Sequence, residues 1–165
     1  MSITMVDVPK IIVGIGDIKT GRDPSLIRTN LGSCIGVCLY HPTLKVGGML
    51  HCMLPFCEEY KSKPDFRPAK FADSGLQELA NILRKTYGVE FRQLTAKIFG
   101  GASMLKDISM RIGQDNEQSV RASLKALQIP VTAFKTGGEK GYQIDFNLNN
   151  GTVSCRIFGH ETEEF

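Results

Sequence analysis

Residues 34–55, CIGVCLYHPTLKVGGMLHCMLP, decide the fold of this chain. Apolar residues alternate with small or polar ones from Ile35 to Tyr40, and a second apolar run extends from Val46 to Leu54. His41-Pro42-Thr43 between them is typical of a turn, and Pro55 ends the second run. Two strands joined by so short a turn pair antiparallel, about 4.8 Å apart. The stretch therefore predicts a β-hairpin.

The predicted hairpin brings two chemically active side chains together. Simple pairing about residues 42–43 sets Cys34 opposite the segment from Met49 to His51, so their encounter requires no contact between distant parts of the chain. A cysteine thiol has an ordinary pKa of about 8.5, and only a few per cent of it is ionised at neutral pH. A histidine within hydrogen-bond reach can take the thiol proton and later give it to a leaving group. Cys34 and His51 are therefore the predicted nucleophile and general base.

The residues before Cys34 supply two further parts of such a site. Gly32 and Ser33 form a turn whose backbone N–H groups lie next to the sulfur, where they can hold the oxyanion of a tetrahedral intermediate. A catalytic histidine also needs a partner that fixes its tautomer. The strands around Cys34 and His51 contain no Asp or Glu, but Thr29 offers a hydroxyl in the right neighbourhood. A neutral partner stabilises imidazolium less than a carboxylate does, so slow turnover is expected of such a site.

The glycine pairs of the chain are not typical of nucleotide sites. Gly14-Ile15-Gly16 lacks the third glycine of the dinucleotide fingerprint, and Gly100-Gly101 is not followed by Gly-Lys-Ser/Thr. Turns that need positive φ explain both pairs more simply. Gly100 and Gly101 also have a functional interpretation, because glycines let a substrate backbone approach closely. Together with Gly32 and Ser33, they are the expected substrate-binding residues.

The cysteines have other interpretations, which must be weighed against the catalytic one. Taken alone, Cys34 is more often a buried apolar residue than a nucleophile. The chain has five cysteines, an odd number without secretory context, so a disulfide framework is not expected. Zinc is disfavoured because Cys34 and Cys38 lie about 13 Å apart along a strand, and Cys52 and Cys57 have no matching second pair. Neither a metal nor a cofactor is expected.

Length, composition and charge limit the class of protein to which this chain can belong. With 165 residues, 42% of them hydrophobic and 22% charged, the chain suits one globular domain, 1–165, with flexible tails at 1–9 and 160–165. A net charge of +3 without a lysine–arginine cluster argues against nucleic acid and acidic membranes. With no signal peptide and no apolar run of about 20 residues to insert into a membrane, a cytoplasmic location is expected. His41, in the turn, and His160, in the acidic tail, are interpreted as surface histidines.

The rest of the pattern predicts a strand-rich α+β domain with two main helices. One helix begins at a capping box from Ser74 to Gln77 and ends before Gly88. A second helix extends from Asn116 to Leu127, just before Pro130. Further strands are predicted at 11–15, 94–99, 131–136, 142–148 and 152–158.

Several motifs follow one another in the order of a known family. They are Thr29–Cys34, Gly48–Pro55, Phe71–Asp73, Lys97–Met104, Ile112-Gly113 with Asn116, and Gly137-Gly138 with Gly141. This ordered set resembles the CheD family of chemoreceptor glutamine deamidases over about residues 14–156. Asp115 and Tyr142 stand where arginines are usual in that family.

The resemblance implies a fold, an activity and partners. Its catalytic cysteine, histidine and threonine correspond to Cys34, His51 and Thr29, and its fold is a layered α/β sandwich similar to the cysteine-hydrolase domains of deamidating toxins. Members hydrolyse the side-chain amides of particular glutamines on bacterial chemoreceptors, giving glutamate and ammonia. The implied partners are the cytoplasmic domains of these receptors and, in some bacteria, a CheC-type phosphatase of the response regulator.

The leading interpretation is a hydrolase that works through a cysteine thioester. Cys34 attacks the glutamine carboxamide carbon, His51 moves the thiol proton to the departing ammonia, and water resolves the thioester. The residues alone do not separate a deamidase from a transglutaminase or a protease, since all share the acylation step. The alternative from another class is an adaptor that mainly binds a CheC-type phosphatase or the receptor with little catalysis. An intact Cys34 and His51 favour the enzyme.

Overall fold

The computed structural model describes residues 8–103 and 108–165. Within these ranges the chain forms ten strands and two α-helices. The strands are β1 (Lys10–Ile12), β2 (Asp17–Arg22), β3 (Leu26–Leu31), β4 (Ile35–His41), β5 (Val46–Cys52), β6 (Thr95–Gly100), β7 (Val131–Thr136), β8 (Tyr142–Asn147), β9 (Val153–Ile157) and β10 (Thr162–Glu164). The helices are α1 (Ala72–Tyr87) and α2 (Ile108–Ala126), and short 3₁₀ helices span Pro68–Lys70 and Phe91–Gln93.

These elements form three layers, which confirms the predicted α+β sandwich. The first sheet has the strand order β1-β3-β8-β9-β10, and the second has the order β2-β5-β4-β6-β7. The helices contact the second sheet through β2, β4 and β5. One apolar core lies between the helices and the second sheet, and another lies between the two sheets. The second sheet is therefore the middle layer.

The hairpin β4–β5 occupies the centre of this middle layer, and every one of its strand residues is buried. Side chains of alternate residues point to opposite faces of a strand. Val37 and Leu50 accordingly pack toward the helices, whereas Cys38 and Met49 pack toward the first sheet. Burial on both faces explains why the hairpin reads as two nearly continuous apolar runs.

The register of the hairpin differs from the predicted one. Leu39 pairs with Gly48 and Gly36 pairs with His51, so the pairing is centred between residues 43 and 44. The reason is the length of the turn, which closes with a hydrogen bond of 2.9 Å from the Lys45 N–H to the His41 carbonyl. Cys34, two residues before Gly36, therefore lies diagonal to His51 and not directly opposite it.

The two helices begin earlier than the sequence pattern indicates. Helix α1 starts at Ala72, so Ser74 lies inside the first turn, and its hydroxyl donates to the Pro68 carbonyl in place of a capping box. Helix α2 starts at Ile108 instead of Asn116. Helix α1 ends as predicted, with Gly88 in the left-handed conformation at φ 71°.

Two further expectations need correction, and two strands were missed. The segment 160–165 is not a free tail, because Thr162–Glu164 forms β10 against β9 and the Phe165 ring packs edge-on to Phe99. His41 is buried, with 6% of its surface exposed, because it ends a strand that is covered on both faces. Strands β2 and β3 were not predicted, since their polar residues obscure the apolar pattern. Of the N-terminal tail, residues 1–7 lie outside the described residues.

Candidate active site

Three strands bring the predicted site residues to one end of the layer between the sheets. Thr29 lies on β3 of the first sheet, and its buried side chain faces the second sheet. His51 lies on β5 of the second sheet, with 2% of its surface exposed. Cys34 immediately precedes β4, and its side chain packs against the core between the sheets. In an antiparallel pair, a residue and the diagonal neighbour of its partner share one face. Cys34 and His51 therefore face the first sheet together.

The hydroxyl of Thr29 connects the two sheets through a pair of short hydrogen bonds. Its Oγ1 lies 2.8 Å from the carbonyl oxygen of Val13 and 2.8 Å from Nδ1 of His51. A carbonyl can only accept, so the single proton of the hydroxyl is donated to Val13. The ring nitrogen of His51 must then carry the proton of the second bond. His51 is therefore held in the tautomer with its proton on Nδ1.

This tautomer leaves Nε2 of His51 as a free base. Nε2 is buried and has no hydrogen-bond partner among the described residues. Burial lowers the pKa of His51 to about 4, because the desolvated ring favours its neutral form. At neutral pH, His51 is consequently a neutral imidazole, with its proton on Nδ1 and an available lone pair on Nε2.

Cys34 is partly exposed, whereas the other four cysteines are buried. Burial raises the pKa of the Cys34 thiol. The resting pair is thus a neutral thiol and a neutral imidazole, not a thiolate and an imidazolium. Such a pair can form the nucleophile by transferring the proton to His51 as the thiol attacks.

The backbone around Cys34 is fixed by the strand-to-helix segment that follows β6. The Gly101 N–H donates to the Cys34 carbonyl over 2.9 Å, and the Ala102 N–H donates to the Gly32 carbonyl over 2.9 Å. Among the described residues, the N–H groups of Ser33 and Cys34 make no such backbone bond. They remain available to an oxyanion beside the sulfur.

Gly100 and Gly101 are buried, and they approach the backbone of Cys34 closely. A Cβ at Gly100, where φ is 104°, would collide with the Cys34 carbonyl. Glycine is required here because both the left-handed conformation and the close approach exclude a side chain. Contact of these two glycines with a substrate stays a prediction.

Asn116 is a polar residue of this site that sequence reasoning did not assign. It is fully buried on α2, and its Nδ2 donates to the Met53 carbonyl over 3.1 Å and to the Ser33 carbonyl over 3.4 Å. A signal was present in the sequence, because Asn116 precedes Val120 and Leu124 at steps of four residues. It is therefore a polar residue on an apolar helix face.

The positions that differ from the usual family pattern have partners of their own. Asp115 lies 3.7 Å from Arg111 one helical turn away, and the Tyr142 hydroxyl donates to the Gly137 carbonyl over 2.7 Å. In the described ranges, no group of three or more His, Cys, Asp or Glu side chains is placed to hold a metal ion. Likewise, no helix in these ranges is both long and apolar enough to cross a membrane.

Comparison with known proteins identifies the family. The family model described as CheD chemotactic sensory transduction matches residues 53–157. This chain belongs to the CheD family. The match contains Asn116 and the glycine pairs Gly100-Gly101 and Gly137-Gly138, whereas Thr29, Cys34 and His51 precede it in the chain.

Curated relatives extend the similarity to almost the whole chain. A protein of Pyrococcus abyssi named "Probable chemoreceptor glutamine deamidase CheD" is 42% identical, covering 89% of this chain and 91% of the relative. A protein of Thermotoga maritima named "Chemoreceptor glutamine deamidase CheD" is 38% identical, covering 91% and 93% respectively. Among solved structures, the YlmD protein of Geobacillus stearothermophilus aligns with a TM-score of 0.49 at 10% identity, over 74% of this chain and 50% of that one.

Proposed function

We propose that this protein is a chemoreceptor glutamine deamidase of the cytoplasm in which Cys34, His51 and Thr29 act as one catalytic unit. Its substrate is the side-chain amide of glutamines on the cytoplasmic domains of bacterial chemoreceptors, and its products are glutamate and ammonia. The names of the relatives at 38–42% identity support the substrate class. The observation that carries the proposal is the hydrogen-bonded series from Val13 through Thr29 to His51, which leaves Nε2 bare.

Acylation is the first half of the reaction. The Cys34 sulfur forms a bond to the carboxamide carbon while Nε2 of His51 takes the thiol proton. The electron pair of the carbonyl moves to its oxygen, and the N–H groups of Ser33 and Cys34 stabilise the resulting oxyanion. The carbon–nitrogen bond then breaks as the imidazolium returns the proton to nitrogen. Ammonia leaves, and a thioester remains on Cys34.

Hydrolysis completes the cycle by the same groups in reverse roles. His51 takes a proton from water, the water oxygen attacks the thioester carbon, and a second oxyanion forms in the same place. The carbon–sulfur bond breaks, and the proton on His51 goes to the leaving sulfur. Thr29 keeps Nδ1 of His51 occupied throughout, so only Nε2 exchanges protons.

The test is direct deamidation of a receptor. Purified cytoplasmic fragments of chemoreceptors are incubated with the protein, and peptide mass spectrometry identifies glutamines converted to glutamate. The proposal expects conversion at a few defined glutamines with the wild-type protein, and none with Cys34→Ala. An unmodified fragment after prolonged incubation with a folded wild-type protein would contradict it.

The same fragments test the alternative adaptor role. An adaptor binds the receptor or a CheC-type phosphatase without converting glutamine, so a pull-down that succeeds while mass spectrometry detects no glutamate favours that role. The unpaired Nε2 of His51 and a partly exposed thiol on the same face of the hairpin support the enzyme, since binding alone requires neither group.

A further inference from the structure

Asn116 touches the turn that carries Cys34, although it lies 83 positions away from Ser33 in the sequence. Gly113, one turn earlier on α2, lets the helix approach the backbone of Gly101, where a Cβ would come within 2.5 Å of the Gly101 carbonyl oxygen. This close approach places the amide of Asn116 at the carbonyls of Ser33 and Met53. One side chain of the helix layer thus holds the chain on both sides of the catalytic end of the hairpin.

Peptide geometry links this contact to the oxyanion site. The Ser33 carbonyl and the Cys34 N–H belong to the same planar peptide group, and in a trans peptide they point in opposite directions. The cis peptide bond found in the described ranges is at Asp23-Pro24, so the bond between Ser33 and Cys34 is trans. A carbonyl held toward α2 turns the Cys34 N–H away from the helix, to the side on which the Cys34 side chain packs.

We infer that Asn116 is a positioning residue that aims the Cys34 N–H at the oxyanion. The inference rests on the proposed thiol acylation, and Asn116 itself does not touch the substrate in it. The bond of 3.4 Å to the Ser33 carbonyl also polarises the peptide group, because hydrogen bonds in series strengthen one another. The Cys34 N–H becomes a better donor when the Ser33 carbonyl accepts.

The oxygen of the Asn116 amide indicates that a contribution to stability is not sufficient to explain an asparagine at this position. Oδ1 of Asn116 is buried and has no partner among the described residues. An unpaired buried acceptor lowers the stability of the folded state. Asn116 nevertheless donates both hydrogens of Nδ2 to the two carbonyls. This arrangement fits a functional need for a fixed orientation of the Ser33–Cys34 peptide.

The test separates reactions that form an oxyanion from one that does not. Acylation of Cys34 by p-nitrophenyl acetate passes through a tetrahedral oxyanion and releases p-nitrophenolate, whereas alkylation by iodoacetamide displaces iodide without any oxyanion. Both reactions use the same thiol and the same His51. Rates are measured for the wild type, Asn116→Leu and Asn116→Ala, with Cys34→Ala as the blank for the other cysteines. Asn116→Ala leaves room for water at the two carbonyls and covers the case in which Asn116→Leu does not fold.

Ser119→Ala is the matched control, because Ser119 lies one turn further along α2 and donates to the Pro55 carbonyl over 2.6 Å. It is also buried and also ties α2 to the segment after β5, and its hydroxyl bonds to Pro55 and not to the Ser33 carbonyl. We expect acylation and receptor deamidation to fall about tenfold or more in the Asn116 variants, while alkylation stays within about twofold, since a misdirected oxyanion donor affects only the oxyanion steps. Ser119→Ala should leave the ratio of acylation to alkylation unchanged.

Two results would overturn the inference. Acylation at the wild-type rate in both Asn116 variants shows that the peptide needs no positioning by Asn116. A parallel loss of acylation and alkylation shows that Asn116 only supports the fold. A wild-type protein that is acylated at Cys34 but deamidates no receptor contradicts the proposed function instead, and the acylation ratio still decides the role of Asn116.

Discussion

The two ends of the β4–β5 hairpin each bear a buried histidine, and the two histidines are used in opposite ways. At the turn end, Nδ1 of His41 accepts a hydrogen bond of 3.1 Å from the Leu44 N–H, so the ring proton lies on Nε2. At the open end, Nδ1 of His51 donates to Thr29, so the ring proton lies on Nδ1 and Nε2 is bare. His41 closes a turn, whereas His51 presents an unprotonated Nε2 on the face of the hairpin that it shares with Cys34.

Burial alone does not distinguish the histidine of the turn from the proposed catalytic histidine. Both residues have less than a tenth of their surface exposed, at 6% for His41 and 2% for His51. What differs is the origin of the partner. His41 is satisfied by a backbone group three residues away, and His51 by a side chain of the other sheet. The partner of His41 is therefore local in the sequence, and the partner of the proposed catalytic histidine comes from a distant strand.

The largest expected effect is at the thiol. Cys34→Ala removes the nucleophile, so receptor deamidation should fall below detection while the far-ultraviolet circular dichroism stays that of the wild type. Cys38→Ala, on the same face of β4 but nearer the turn, should keep activity and lose about 1 kcal/mol of stability through lost packing. Deamidation at a near wild-type rate by Cys34→Ala would remove this residue from the mechanism.

Substitution of the two histidines should affect the turnover number very differently. His51→Ala should lower the turnover number about 10²- to 10⁴-fold, the usual contribution of a general acid–base group. His41→Ala should change it less than threefold and lower the free energy of unfolding by about 1 kcal/mol, because the Leu44 N–H loses its acceptor. Steady-state rates and urea unfolding on the same preparations provide both measurements. Comparable losses of turnover in both variants would contradict the different roles assigned to His41 and His51.

Acid should destabilise the protein through His51. Its pKa is about 4 in the folded state and near 6.5 in the unfolded state, so the unfolded chain binds the extra proton between these values. Stability therefore falls as the pH drops from 6.5 toward 4, by up to about 3 kcal/mol for this group. Urea unfolding at several pH values, compared with His51→Gln, isolates the contribution. Identical pH dependence in the two proteins would contradict a desolvated neutral ring.

The smallest expected effect on the site is at Thr29. Thr29→Ser keeps the hydroxyl between Val13 and His51 and should retain most activity. Thr29→Val keeps the shape without the oxygen and should lower the turnover number about 10- to 100-fold with little change in KM, since an orienting bond acts mainly in the reacting state. A valine variant as active as the wild type would show that another group orients His51.

The local parts of this arrangement were visible in the sequence, and the distant parts were not. Alternating apolar residues and a turn at His41 predict the hairpin, and with it the approach of Cys34 and His51. Thr29 was predicted from its position before Cys34, but its contact with His51 depends on the packing of two sheets, which no periodicity specifies. The role of the Val13 carbonyl could not be predicted, because every residue has a backbone carbonyl and the sequence does not show which one accepts from Thr29.

Alkylation should also distinguish the two histidines. Iodoacetamide should label Cys34 faster than the other cysteines, because Cys34 is partly exposed while burial raises the pKa of Cys52 to about 12 and of Cys155 to about 11. His51→Ala should slow this labelling, whereas His41→Ala should not. Mass spectrometry of the labelled peptides gives the rates. Equal labelling of all five cysteines would contradict a selective site.

The positions of the ring protons on the two histidines are the decisive test of the proposal that His51 is a general base. Long-range ¹H–¹⁵N correlation spectra of protein labelled with ¹⁵N-histidine distinguish protonated from bare ring nitrogens in solution at neutral pH. The structure predicts a proton on Nδ1 and a bare Nε2 for His51, and the reverse for His41. Thr29→Val should disturb the His51 pattern and leave that of His41 unchanged. A His51 ring that carries its proton on Nε2, or on both nitrogens, could not accept the thiol proton of Cys34 and would contradict the account.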